Sequence, residues 1–204
     1  MEYLFSQKRI EDYFNQIIRC IKNEIDNYSE HHFATLEIES VVEQLFNRYS
    51  ITVPVLLKDK TKSYITTEHL EGHQLPSGTH FIIGQKYPVD IANYSIPFSG
   101  NSELFSCIPT NFSGGITDAR IGNGVLIIQL TNWGKIIGNE KILGNIKNQL
   151  LTRVDKIEEI LSYQKNDVDK FLESLRPQIL QYLEGKINQV KLKIDSSDKL
   201  NPFK

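Results

Sequence analysis

NYSIPFSGNSELFSCIPTNFSGGITDARIGNGVLIIQL, residues 93–130, combines alternating apolar positions, three kinds of turn former and a long apolar finish. How this stretch is read decides the fold. VDIANYSIPF, residues 89–98, alternates Val89, Ile91, Asn93 and Ser95 against Asp90, Ala92, Tyr94, Ile96 and Phe98, as a strand does. In ARIGNGVLIIQL, Asn123-Gly124 suits a tight turn that needs positive φ, and strand formers flank it, so a hairpin is predicted. VLIIQL is apolar enough to lie at the centre of a sheet. Between the strands, Pro97 is expected to end the first one and Gly100 to let the backbone turn. Phe98, Leu104, Phe105 and Phe112 are then expected to plug a core beneath the corner.

Upstream, Ile10, Tyr13, Phe14, Ile17, Ile21 and Ile25 recur at steps of three and four, the mark of an amphipathic helix ending before the polar NYSEHH. LEIESVVEQLFNRYS gives a second helix through Ile38, Val41, Val42, Leu45 and Phe46. ITVPVLLK and KSYITTE are predicted to pair as strands through the turn-like KDKT, with Pro54 marking an edge or a bulge. Residues 68–88 carry Gly72, Pro76, Gly78, Gly84 and Pro88 and are expected to be loop around one short apolar piece, HFIIG.

Downstream the period changes. Ile142, Ile146, Leu150, Val154, Ile157 and Leu161 recur helically, and the stripe resumes at Val168, Phe171, Leu175, Ile179, Leu183, Ile187 and Val190. Two features predict a helical hairpin instead of one rod. SYQKND is polar and offers Asn166 or Asp167 as an N-cap, and Arg176-Pro177 should kink or restart a helix. The expectation is an α+β protein with a mainly antiparallel sheet, an N-terminal amphipathic helix and a long C-terminal helical hairpin. Residues 1–135 form the helix plus β-rich domain, 136–194 the hairpin or coiled-coil-like appendage, and 195–204 a flexible tail.

Bulk properties narrow the function classes. A chain of 204 residues can bury a core without covalent staples. Its net charge of -2 gives no field to attract nucleic acid or membrane, and the basic residues of the helical part are interleaved with acids. Cys20 and Cys107 make no disulfide framework, and MEYLFSQKRIEDYF has no secretion signal, so a cytoplasmic protein with free thiols is expected. The sequons at Asn27, Asn93 and Asn111 are then chance matches.

Reactive groups are scattered. His69 and His73 stand four apart with His80 beyond, the set a metal-dependent hydrolase or nuclease would use. Leu70 nevertheless occupies the place of the metalloprotease glutamate, and Gly72 and Pro76 oppose a helix. His31-His32 is a second loop pair. The glycines of SGGITDARIGNG flank strands and lack the Gly-Lys-Ser/Thr ending of a phosphate loop. Cys107, Ser99 and Ser113 have no nucleophile elbow around them. Asp90, Glu103, Asp118 and Arg120 are the candidate charged groups of the β region, and surface solvation accounts for them equally well. No cofactor is expected. Phe98, Phe105, Phe112, Trp133, Tyr163 and Phe171 are the candidate anchors of an interaction surface, with core packing as the alternative.

Ile96-Pro97-Phe98-Ser99-Gly100, then Leu104-Phe105, then Pro109-Thr110-x-Phe112 resembles a loosely characterised bacterial family. Its members carry Ile/Val-Pro-Phe-Thr/Ser-Gly, Leu-Phe and Pro-Ser/Thr-x-Phe ahead of two helices and a short Leu/Pro motif. DKFLESLRPQI and the terminal LNPF are looser echoes, and the likeness spans the last half of the chain. The resemblance implies an accessory module that works with an effector, such as a nuclease or a Toll/interleukin-receptor-like domain, in defence against phage. It implies an effector protein as partner and supplies no catalytic residues to carry over; the wide apolar face of the C-terminal helices, read from the sequence itself, is expected to allow self-association.

Overall fold

The computed structural model describes residues 3–74, 80, 82–112, 119–132 and 135–200. Strands and helices follow the periodicities above, with helices at both ends of the chain and the sheet between. A two-residue strand β1 (Lys8–Arg9) leads into α1 (Ile10–Asp26), whose buried face is Ile10, Tyr13, Ile17, Ile21 and Ile25. Glu11 and Asp12 place negative charge at its positive end. NYSEHH, expected as loop, instead holds a short helix α2 (Glu30–Thr35), because Ser29 Oγ caps it by accepting the His32 amide at 3.2 Å. Helix α3 (Ile38–Tyr49) follows. Its Tyr49 hydroxyl donates to Glu24 of α1 at 2.8 Å, and burial together with that bond pushes the phenol up to about 12.

The sheet is antiparallel and centred on one long strand. β4 (Lys86–Ser99) pairs on one side with β7 (Val125–Asn132), from Asp90↔Asn132 to Pro97↔Val125. Lacking an N–H, Pro97 closes that ladder, but the strand runs two residues further than the sequence predicts. On the other side β4 carries both β2 (Val55–Leu56) and β3 (Lys62–Glu71). The pairing expected between ITVPVLLK and KSYITTE is therefore corrected: the two segments lie in line along β4, separated by a 3₁₀ turn at Lys58–Lys60. A ten-residue run such as β3 gains more backbone pairing against the fourteen-residue β4 than against a short strand interrupted by Pro54. The predicted hairpin is present: β6 (Arg120–Gly122) meets β7 through Asn123 and Gly124 at φ 50° and 73°. A two-residue strand β5 (Cys107–Ile108) pairs in parallel with β1.

The largest departure from expectation is α4, one helix from Glu140 to Leu200. Its 61 residues span about 90 Å. There is no hairpin, and residues 195–200, expected as flexible tail, are helical. Each predicted break has another use. Asp167 caps no new helix; its carboxylate accepts the Thr110 amide at 2.9 Å. Gln164 occupies a position in the buried stripe between Leu161 and Val168. Pro177 faces solvent, with Leu175 and Ile179 buried beside it. A proline inside a helix costs about 3 kcal/mol, whereas burying one large apolar side chain returns roughly 1.5–3 kcal/mol. The buried run Val168, Phe171, Leu175, Ile179, Leu183 and Ile187 outweighs it several times over.

Two cores sit end to end along α4. The first lies between the sheet and the N-terminal half of the helix, where Ala92, Ile96, Leu126, Ile128 and Leu130 meet Ile146, Val154, Ile157, Ile160 and Leu161. The second is a helical bundle in which α1, α2 and α3 wrap the C-terminal half of α4. The change of period near residue 135 therefore marks a change of element, while α4 itself belongs to both cores.

Candidate interaction surface

The corner quoted at the outset is where the cores meet. Leu104 is fully buried in the second core and its neighbour Phe105 is buried in the first. A 3₁₀ turn, Ser102–Ser106, presents them to opposite sides. Gly100 turns the chain at φ 93°, and Asn101 fastens it: its amide donates to Thr52 O at 2.9 Å while its side-chain oxygen accepts the Thr52 amide at 2.7 Å. Gln164 of α4 locks the turn from below, its side-chain amide donating to Leu104 O and Cys107 O, both at 2.7 Å.

This arrangement corrects the proposed set of anchors. Phe105 packs edge-on against Phe98 at 4.9 Å and near Phe5 at 6.0 Å, so it is core and Phe98 is half-buried beside it. Phe171 is buried, stacked on Phe14 at 4.3 Å. Phe112 is half-buried against the first core. Tyr163 lies on the surface of α4, its hydroxyl donating to Glu159 at 2.8 Å. Trp133 lies outside the described residues, as do Ser113 and Asp118. Four of the six are packing residues, Phe98, Phe105 and Phe112 at the first core and Phe171 in the second.

The reactive groups also stay apart. His69 is on β3, His73 on the following 3₁₀ turn 3.5 Å from Glu71, and His80 beyond it; all three are exposed. Among the described residues no three His, Cys, Asp or Glu side chains come together as a metal would need. Ser99 is exposed at the end of β4, Glu103 pairs with Lys8 at 3.1 Å, and Arg120 is exposed at the start of β6. Burial pushes the Cys107 thiol up, which suits a packed side chain and not a nucleophile. Asn93, within one of the sequons, is buried. Its amide donates to Thr66 at 2.9 Å and its oxygen accepts from Gln129 at 2.8 Å, tying β3, β4 and β7 together.

Asp90 is structural. One carboxylate oxygen accepts the Thr67 hydroxyl at 2.7 Å and the other the buried Ile136 amide at 2.8 Å, joining the sheet to the approach to α4. The Thr67 bond first, then the Ile136 amide, lower its pKa. Because the folded value lies below the unfolded one, this contribution is complete above the ordinary carboxylate range and is lost as pH falls through the folded value. Asp90→Ala is expected to cost about 2 kcal/mol at pH 7, and the difference from the parent protein should shrink below pH ~4. Urea titrations at both pH values measure it.

Among the exposed apolar side chains of the described residues, those of β3 and of the end of α4 stand out. Along β3, Tyr64 is 58% exposed and Ile65 37%, beside an apolar groove of about 330 Å³ lined by Ala92, Tyr94, Leu143 and Ile146. At the far end, α4 runs past the bundle: every residue from Lys191 to Leu200 is exposed, with Leu192 at 66% and Leu200 at 82%. These surfaces offer a backbone edge and apolar contact. The fold class is thus a mixed helical and antiparallel-sheet scaffold with exposed apolar edges. No protein-family model matches the chain, and no curated protein or solved structure is significantly similar to it. No helix among the described residues is long and apolar enough to cross a membrane.

Proposed function

We propose that the protein is a non-catalytic recognition and assembly module that binds an effector protein, in a bacterial system of the anti-phage kind that the corner motif implies. The observation that carries this reading is the C-terminal overhang of α4. Ten consecutive exposed helical residues extend about 15 Å. An exposed helical end of that length is marginal in water, and exposing Leu192, Ile194 and Leu200 adds to its cost. An effector with an apolar groove would take the overhang as an amphipathic helix, Lys191 and Lys199 meeting acidic groups at the groove's rim, while Lys193 ties the base of the overhang to Glu30 of α2 at 2.5 Å.

Co-expression with the protein encoded beside it tests the reading. The full chain should co-elute with that protein on size exclusion. A chain truncated after Val190 should lose the complex and keep its melting profile but for the small effect of losing the exposed Lys193–Glu30 ion pair, since the buried stripe ends before the cut. Absence of a complex, or a complex that survives the truncation, rejects it. So does stoichiometric zinc or manganese accompanied by nuclease activity that disappears in His73→Ala.

A further inference from the structure

Strand β3 is an edge strand, and most of its residues are exposed. Its ten residues pair with β4 in unbroken register, from Lys62↔Ser95 to Glu71↔Lys86, without a bulge, a proline or a glycine. Among the described residues no strand pairs with its other side. Natural edge strands of this length are blunted by bulges, prolines, inward charges or a covering element. Here Ser63–Thr67 is uncharged, strongly β-forming and open to solvent, with Tyr64 and Ile65 projecting from it. Such an edge is a pairing template.

The charge order along the strand identifies what pairs with it. Lys62 stands at one end and Glu68 and Glu71 at the other. Two copies related by a two-fold axis and joined edge to edge run antiparallel, with the axis perpendicular to the sheet. Facing residues then keep to the same side of the sheet, so the axis must pass through a residue and not between two. Only the axis through Ile65 sets Lys62 opposite a carboxylate, the partner's Glu68. In that register Tyr64 faces the partner's Thr66, Ser63 the partner's Thr67, and the two Ile65 side chains meet. Ile65 sits opposite Ala92, on the face that carries α4, so the paired isoleucines lie over the apolar groove. The two ion pairs and the Tyr–Thr pairs share the other face.

We infer that the protein forms a symmetric dimer through β3, with the axis at Ile65 and Lys62 paired to the partner's Glu68, making one continuous sheet across both copies. The interface is separate from the α4 overhang, so it stands or falls apart from the effector reading.

Light scattering over a concentration series tests it, using the full chain. The expected mass is twice the 23.5 kDa of one chain. Ile65→Lys sets two like charges against each other at the axis and should give monomers that keep the parent's far-ultraviolet circular dichroism, since Ile65 lies at the sheet edge and is 37% exposed. Lys62→Glu alone and Glu68→Lys alone should each raise the dimer dissociation constant roughly tenfold, and the double charge swap should restore it. Truncation after Val190 should leave the dimer intact. A monomer at every concentration overturns the inference, as does a dimer indifferent to Ile65→Lys, which would place the contact elsewhere. A double swap that fails to restore pairing rejects the register.

Discussion

Gly100→Ala is expected to destabilise the protein by about 3 kcal/mol and to lower its melting temperature by roughly 10 °C. Two effects coincide at this position. The backbone φ of 93° is one that side chains with a Cβ rarely adopt, and an added Cβ would stand 2.7 Å from Val53 O and 3.0 Å from Thr52 O. Those atoms are backbone and cannot rotate away. Thr52 is also held by Asn101, so relief of the clash pulls on both hydrogen bonds that fasten the corner. Gly124→Ala is the control. It too has positive φ, at 73°, but nothing lies within 4 Å of the added carbon. Its cost should be about 1 kcal/mol, from backbone strain alone. Thermal denaturation of both variants separates the steric part from the conformational part. Equal losses would show that the approach of the 52–53 backbone is not what demands glycine at position 100.

Gln164 gives the second large effect. Its side chain is fully buried and donates to two carbonyls, while its own oxygen has no hydrogen-bond partner within the protein. Gln164→Leu takes a donor from Cys107 O and from Leu104 O, which still accepts the Cys107 amide, but also removes that unpartnered oxygen, so a net cost of about 2 kcal/mol is expected. Gln164→Glu should be worse at pH 7, by about 4 kcal/mol, since a buried carboxylate would face two carbonyl oxygens with no proton to give. The sign of its pH dependence follows. Burial and the carbonyls raise the folded pKa of the introduced acid above the unfolded value of about 4.3, so the variant is least impaired below that pH. It should lose stability as pH rises from there through the raised value. Chemical denaturation at pH 4.5 and pH 7.5 distinguishes the two variants. A Gln164→Glu protein equally stable at both would mean that the side chain swings out to solvent.

The corner and the hairpin were legible because their signals are local. Asn123-Gly124 needs positive φ whatever surrounds it, and the alternation over residues 89–98 places every second side chain on one face of a strand. The helical faces of α1 and α3 were likewise plain from spacing. The anchors were not. Phe105 and Phe171 look the same in sequence whether they face a partner or a core, and only the packing of Phe98, Phe5 and Phe14 around them tells which. Asp90 had the look of a surface acid because its partners, Thr67 and Ile136, lie 23 and 46 residues away. The open edge of β3 was hidden by the expectation that KSYITTE pairs with ITVPVLLK.

By itself the sequence determined the main elements: the amphipathic helices α1 and α3, the strands over 89–98 and 125–130, the tight turn at Asn123-Gly124, and that no set of reactive groups shares a motif. Those depend on neighbours within a few positions, where φ/ψ preference and side-chain period act. The tertiary structure decided whether α4 is one helix or two. The polar run SYQKND and Arg176-Pro177 are breaks for an isolated helix. Here Gln164 and Asp167 are taken up by the corner at Leu104–Thr110, and the buried stripe on either side of Pro177 is held by α1 and α3. Burial against distant segments outweighs a local preference worth a few kcal/mol, and no local pattern contains that sum.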